Sequence, residues 1–239
     1  MSVLEYQTAV MRRDFETADR VLPTIPREHR TRVAHFLEKQ GFTQQALQVS
    51  TDSEHRFDLS LQIGDLKTAS ELAREADNPQ KWSQLAEIAT KENNFDLVKE
   101  CLHKANDYGG LLLLATSSGD ASMLRNLGET GAKEGRHNIS FLSMFLLGDL
   151  NACLDILIQT NRLPEAAFFA RTYIPNKISF VVKLWREELA KVNEKAGQSL
   201  ANPDEYENLF PGLQDALKTQ QFLVSENTLR PAEFAAKVC

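Results

Sequence analysis

The chain has 239 residues, 42% of them hydrophobic and 25% charged, a composition that excludes a disordered or fibrous protein and supplies enough apolar side chains for a core. Its 27 lysines and arginines stand against 33 acidic residues, and a net charge of −6 offers no dominant footprint for nucleic acid. Three cysteines, Cys101, Cys153 and Cys239, with no CxxC pair among them, cannot staple a secreted fold and fit a reducing compartment.

The start of the chain carries Glu5, Arg12, Arg13 and Asp14 and lacks the apolar run of a secretion signal. The uncharged stretches 108–119 and 138–148 fall short of the ~18 apolar residues a membrane span needs. The expectation is a cytosolic chain whose membrane contact is peripheral. Along the chain a turn-and-helix-start signature then recurs: Arg13 to Ala18, Gly41 to Ala46, Gly64 to Ala69, Asn94 to Val98, Gly119 to Leu124, Gly148 to Cys153 and Asn161 to Ala166. Gly ends one helix because it enters the left-handed conformation cheaply, and the Asp that often follows accepts hydrogen bonds from the unpaired amides of the next helix. The apolar residue and the small residue three or four positions later share a helix face, so that neighbouring helices approach closely.

Most of these units recur after 23–29 residues, room for two short helices and their turns, which is the period of a helical-hairpin array. The last begins only 13 residues after its predecessor. Partner helices are predicted at 30–40, 54–63, 79–92, 109–118 and 139–147, and a longer one at 177–196. Asn78-Pro79 and the stretch from Asn202 to Glu205 read as N-cap, first-turn proline and acidic first turn. No stretch alternates long enough for a sheet, and the total comes to about 14–16 helices and no strand. The predicted organisation is a hairpin array over 1–197, a C-terminal helical extension over 198–222 and a weakly structured tail over 223–239.

Chemistry is absent from the pattern. His29, His35, His55, His103 and His137 make no HExxH, no zinc-finger spacing and no pair four apart, so no metal site is expected. Cys101 and His103 read as a buried thiol beside an exposed imidazole. No nucleophile elbow or phosphate-cradling glycine loop occurs, and the carboxylates Asp204, Glu205 and Glu207, with Glu187 and Glu188, read as a helix start and a solvated face. No catalytic residue and no cofactor is expected. The basic run Arg27, His29, Arg30, Arg32 is compact enough to touch anionic lipid or an acidic partner, but Glu28 interrupts it and the usual fate of such a run is a solvated helix face. Leu111, Leu112, Leu113 and Leu114 form the candidate binding patch. Successive residues rotate by about 100°, so either that helix is buried from both sides or one edge is a docking surface.

The blocks 4–15, 32–41, 107–116, 162–167 and 206–212 carry an identity beyond pattern: together they resemble the solenoid region of the coatomer β′-subunit family, over 2–217. The resemblance implies an all-α solenoid of helical hairpins, wound as a right-handed superhelix of the tetratricopeptide or clathrin-leg kind. It implies a scaffold segment of the coat on vesicles moving between Golgi and endoplasmic reticulum, in contact with the coatomer α subunit solenoid and other coat subunits. A homodimer stays open. The two propellers that precede the solenoid in that family, and hold its dilysine-recognition site, are not in this sequence. The competing reading is a tetratricopeptide-like adaptor with a groove for short peptides; a helical-toroid enzyme, with acidic and aromatic residues converging on a pocket, fits poorly.

Overall fold

The connections between helices are built from one local device. At Arg13, Gly41, Gly64, Asn93, Asn106, Gly119, Gly135, Gly148 and Asn161 the backbone enters the left-handed region, with φ between 54° and 83°. Each of these amides donates to the carbonyl three residues back, and the next amide donates to the carbonyl five residues back. At Gly148 the two bonds reach Phe145 at 3.0 Å and, from Asp149, Met144 at 2.9 Å. The pair satisfies carbonyls that a helix end otherwise leaves bare. The residue making the second bond is also the N-cap of the next helix. At Asp14, Asp65, Asn94, Asp107, Asp120 and Asp149 its side chain accepts the amide three residues on. One helix is therefore closed and the next opened by two residues, with no loop between.

A computed structural model describes residues 2–225. From Gly64 to Asn161, counting Asp77 (φ 44°), the left-handed residues lie 13 or 16 residues apart. The 16-residue intervals follow the 13-residue helices, so the interval is helix length plus link. The period of 23–29 counts every second turn, and the short interval before Asn161 is the ordinary single-helix interval. The turns at Asp77, Asn106 and Gly135 are passed over by that period.

The chain divides into two compact units, Met1–Leu114 and Ala115–Cys239. The first holds α1 (Ser2–Met11), α2 (Phe15–Val21), α3 (Arg27–Lys39), α4 (Thr43–Val49), α5 (Ser53–Ile63), α6 (Leu66–Ala76), α7 (Pro79–Lys91) and α8 (Phe95–Lys104); the division falls within α9 (Tyr108–Ser118). The second holds α10 (Ala121–Lys133), α11 (His137–Leu146), α12 (Leu150–Gln159), α13 (Leu163–Tyr173), α14 (Ile178–Val192), α15 (Glu194–Ser199) and α16 (Leu213–Ser225). No strand occurs among the described residues. Each unit is an array in which helices pack on their sequence neighbours, the all-α hairpin solenoid that the repeat predicts.

In the first unit Tyr6, Val10, Ile25, Val33, Leu37 and Leu59 form a core, with alanines such as Ala9, Ala18, Ala34 and Ala46 at the helix contacts. Lys81 is buried there with its ammonium 2.6 Å from Glu54 and 5.2 Å from the centre of the Phe57 ring, so its charge is compensated twice. In the second unit Cys153, Leu154, Leu157, Ala166, Ile178 and Val181 are central. A close seam joins α10 to α11. A methyl at Gly128 would stand 2.7 Å from the Met144 terminal carbon, and one at Gly131 would stand 3.3 Å from two backbone atoms, the Arg136 oxygen and the Ser140 nitrogen.

Two expectations need correction. The helix predicted at 177–196 is two helices. Asn193 is extended (φ −152°, ψ 108°), and its side chain caps α15 by accepting the Ala196 amide. α15 then folds back so closely that a methyl at Gly197 would meet the Arg186 oxygen and the Ala190 side chain at 2.9 Å. The stretch from Asn202 to Glu205 is a turn, not a helix start. Asn202 makes the cap bond to the Asp204 amide, yet its side chain is buried against α14, and the acids face α14's cations instead of a helix terminus. Arg186 holds Glu205 through two bonds at 2.7 and 2.9 Å and the Leu200 carbonyl at 2.6 Å, while Lys183 meets Asp204 at 3.3 Å. Further on, Asn176 and Gln220 exchange two bonds of 3.0 Å, which tie α16 to the turn before α14. Of the predicted tail, 226–239 lies outside the described residues.

Candidate interaction surface

The predicted leucine patch is divided by its own helix. Leu111 is only 2% exposed and belongs to the interior, Leu112 and Leu114 are half-buried, and Leu113 is 70% exposed. With a rotation of about 100° per residue no other outcome suits four consecutive leucines on a packed helix.

A broader apolar surface lies in the second unit, between α11 and α13. Phe141 and Phe145 sit four residues apart on α11, and Phe169 and Tyr173 four apart on α13, so each pair lines one helix face. Across the gap the Phe141 and Phe169 rings meet edge to face at 5.6 Å, and Phe145 and Tyr173 at 5.5 Å. Phe168, 63% exposed, extends the surface to Trp185 of α14 at 6.4 Å. Phe141, Phe168, Phe169 and Tyr173, with Leu142, Thr172 and the floor residue Leu157, line an open groove of about 690 Å³. Its other end is polar: Asn138, Arg162 and Glu165 continue into a second hollow lined by Arg136, His137 and Thr160. The i,i+4 aromatic spacing is visible in the sequence, but the same spacing describes a buried face, so nothing in it marks these rings as surface.

The remaining candidates take structural places. Cys101 and Cys153 are buried, and burial pushes their thiols up to about 12 and about 11, far from the thiolate a nucleophile needs. His103 is exposed beside Cys101. In the basic run, Arg30 donates to the Ile25 carbonyl at 3.1 Å and His29 lies 3.9 Å from Glu28. His29, His103 and His137 stand apart, whereas His35 and His55, twenty positions apart in sequence, come together on Glu38. The spacing that argued against a metal site could not reveal that meeting, because it forms between α3 and α5. Among the described residues no helix is long and apolar enough to cross a membrane.

A family model described as the COPA/B TPR domain matches residues 6–186, from within α1 to within α14. The chain is 66% identical over 239 residues to coatomer subunit beta' of Drosophila melanogaster, covering 100% of this chain and 26% of that protein. It is 64% identical over 223 residues to coatomer subunit beta' of Homo sapiens, covering 93% of this chain and 25% of that protein. With the probable coatomer subunit beta' of Caenorhabditis elegans it shares 56% identity over 227 residues, covering 93% and 23%. The chain thus spans about a quarter of the length of these relatives. Because the family match covers residues 6–186, well over half of the chain, the chain belongs to the COPA/B TPR domain family.

Proposed function

We propose that the chain is a non-catalytic scaffold segment of a coatomer coat, which acts in Golgi-to-endoplasmic-reticulum and intra-Golgi transport on the cytosolic side of Golgi and vesicle membranes. Its task in that reading is to hold another coat subunit, and the partner is the helical solenoid of the coatomer α subunit. The observation that carries the proposal is the ring-lined groove between α11 and α13. A groove between two helices, apolar along its length and polar at one end, has the form that receives a ridge of side chains from a third helix. Exposed aromatic anchors are the residue types that concentrate binding energy at such contacts. The relatives, all coatomer β′ subunits, supply the coat as context. The α9 contribution narrows to Leu113 and its half-buried neighbours Leu112 and Leu114.

The test is capture of the α-subunit solenoid by the chain, for which a stable contact should bury at least ~1,000 Å². Phe168→Ser and Tyr173→Ser alter exposed rings, so the fold should survive while capture weakens by roughly tenfold or more each. Unchanged capture by both folded variants would remove the groove from the interface. Failure to capture the solenoid, together with tight binding of short peptides that depends on Asn138 and Arg162, would put the adaptor reading in its place. Sizing of the chain alone decides the homodimer.

A further inference from the structure

We propose that His35, Glu38 and His55 form a three-ligand site for a divalent transition-metal ion of the zinc type, bridging α3 and α5 of the first unit. His35 and Glu38 are three residues apart on α3 and so share a face, and His55 enters from the first turn of α5. One carboxylate oxygen of Glu38, Oε2, lies 3.1 Å from His55 Nε2 and 3.6 Å from His35 Nδ1, and the three donor atoms all fall within 4.8 Å of one another. Ligand atoms placed about 2.0–2.1 Å from a tetrahedral zinc ion stand about 3.3 Å apart. Two of the separations already bracket that value. The imidazoles are stacked, with centroids 3.9 Å apart and planes 28° from parallel, so neighbouring ring edges face the same oxygen.

The surroundings hold the donors in a ligand-ready arrangement. The other nitrogen of His55, Nδ1, is 3.1 Å from the Ser50 hydroxyl, a contact that orients the ring and leaves Nε2 on the Glu38 side. The second carboxylate oxygen of Glu38 accepts from the Gln62 amide at 3.3 Å, which reserves Oε2 for the ion. His55 is buried, with 6% of its side chain exposed, while His35 is 53% exposed. The ion would thus have an inner wall and a solvent side where water completes the shell. Two imidazoles and one carboxylate select zinc, cobalt or nickel over calcium or magnesium, which prefer oxygen donors. Such an ion would clasp two hairpins through side chains 20 residues apart and stabilise the folded unit that binds it.

The experiment is titration of the chelator-stripped chain with Co²⁺, in a Cys239→Ser background that removes the terminal thiol, followed by competition with Zn²⁺. The expected result is one Co²⁺ per chain, visible absorption bands of a low-symmetry nitrogen and oxygen site without thiolate charge-transfer bands, and displacement by Zn²⁺. Zn²⁺ should also raise the melting temperature. His35→Ala and Glu38→Gln should each weaken binding by at least ~100-fold, and Ser50→Ala by roughly 10–100-fold. His55→Gln empties a buried position and is informative only if it folds; His35→Ala changes an exposed side chain and keeps the test decisive. Absence of binding in the parent chain, or binding that survives both His35→Ala and Glu38→Gln, overturns the site.

Discussion

The two units close their hairpins with the same turn but with different side chains. In Met1–Leu114 alanines line the helix contacts, and Lys81 and His55 enter the interior in compensated sets, Lys81 with Glu54 and Phe57, and His55 with Glu38 and Ser50. In Ala115–Cys239 the α10–α11 seam is glycine against serine and methionine, and the apolar bulk is displaced outward. Among the described residues the first unit exposes five large hydrophobic side chains and the second twelve. The turn constrains none of this, because its bonds are backbone bonds and its caps need only a short polar side chain. A repeat of this kind can therefore keep its geometry while one part is given to internal fit and another to surface.

The severest tests of that division place a charge at the small-residue contacts. Ala69 and Cys153 are both fully buried in helix-to-helix positions. Ala69→Arg in the first unit and Cys153→Arg in the second should each cost ~3 kcal/mol or more, since an unpaired guanidinium and extra volume arrive together. Urea melting measures the loss, and hydrogen exchange should place it in the unit that carries the change. Wild-type melting in either variant would show that its contact is not a close one.

A smaller effect separates two glycines of the α10–α11 seam. Both lie inside a helix, where alanine would gain up to about 1 kcal/mol of helical propensity. At Gly128 the hard clash is with the flexible end of Met144, which can move aside, while the Ser143 Cβ at 3.2 Å must give by a few tenths of an ångström and offsets the gained propensity, so Gly128→Ala should be close to neutral. At Gly131 the obstacles are backbone atoms of Arg136 and Ser140. There strain should win, and Gly131→Ala should destabilise by roughly 1 kcal/mol. Equal behaviour of the two sites in thermal melting would mean that the seam is looser than the alanine contacts of the first unit.

The units should also differ in alkali. Burial raises Tyr6 and Cys101 of the first unit to about 12 and Cys153 of the second to about 11. A folded-state pKa above the unfolded value means that the folded chain holds the proton more tightly. The associated stability is complete below the unfolded values of ~8.5 for Cys and ~10 for Tyr, and falls as pH rises toward the folded ones. Melting temperatures should be level up to about pH 8 and then decline, with the first unit, which holds two such groups, losing exchange protection more steeply. The same burial predicts slow reaction of Cys101 and Cys153 with a thiol reagent until the chain is unfolded.

Much of this fold was legible because its punctuation is local. Gly64-Asp65, Gly119-Asp120 and Gly148-Asp149 announce helix end and helix start in two letters, and Ala69 and Cys153 could be placed at contacts from their offset to those turns. Asn106-Asp107 and Gly135-Arg136 use the same device, yet counting whole hairpins concealed them. The surface was far less legible. Phe141 and Phe145 have the spacing of a buried stripe, and only the position of α13 shows that they face a groove. Leu111 to Leu114 announced apolar bulk but not its direction. The meeting of His35 with His55 depends on the packing of α5 on α3, which no short-range spacing encodes.

The finest test concerns the turn itself, the one feature the units share. Arg13 is the only one of the nine turn residues that is neither glycine nor asparagine, and it holds φ 60°. A side chain with a Cβ meets the following carbonyl in that conformation at a cost of roughly 1–2 kcal/mol, which asparagine partly offsets and arginine does not. Arg13→Gly should relieve part of it, reduced by the greater freedom glycine has in the unfolded chain, for a net gain of up to ~1 kcal/mol. Gly148→Ala, at φ 75° with open space around the new methyl, should lose about the same amount for the same reason in reverse. Both changes leave every backbone bond of the turn available, so the two shifts in melting midpoint should be opposite in sign and similar in size. A loss at Arg13→Gly would mean that the arginine side chain is held by contacts that outweigh the strain, and the first turn of the array would then differ in kind from the other eight.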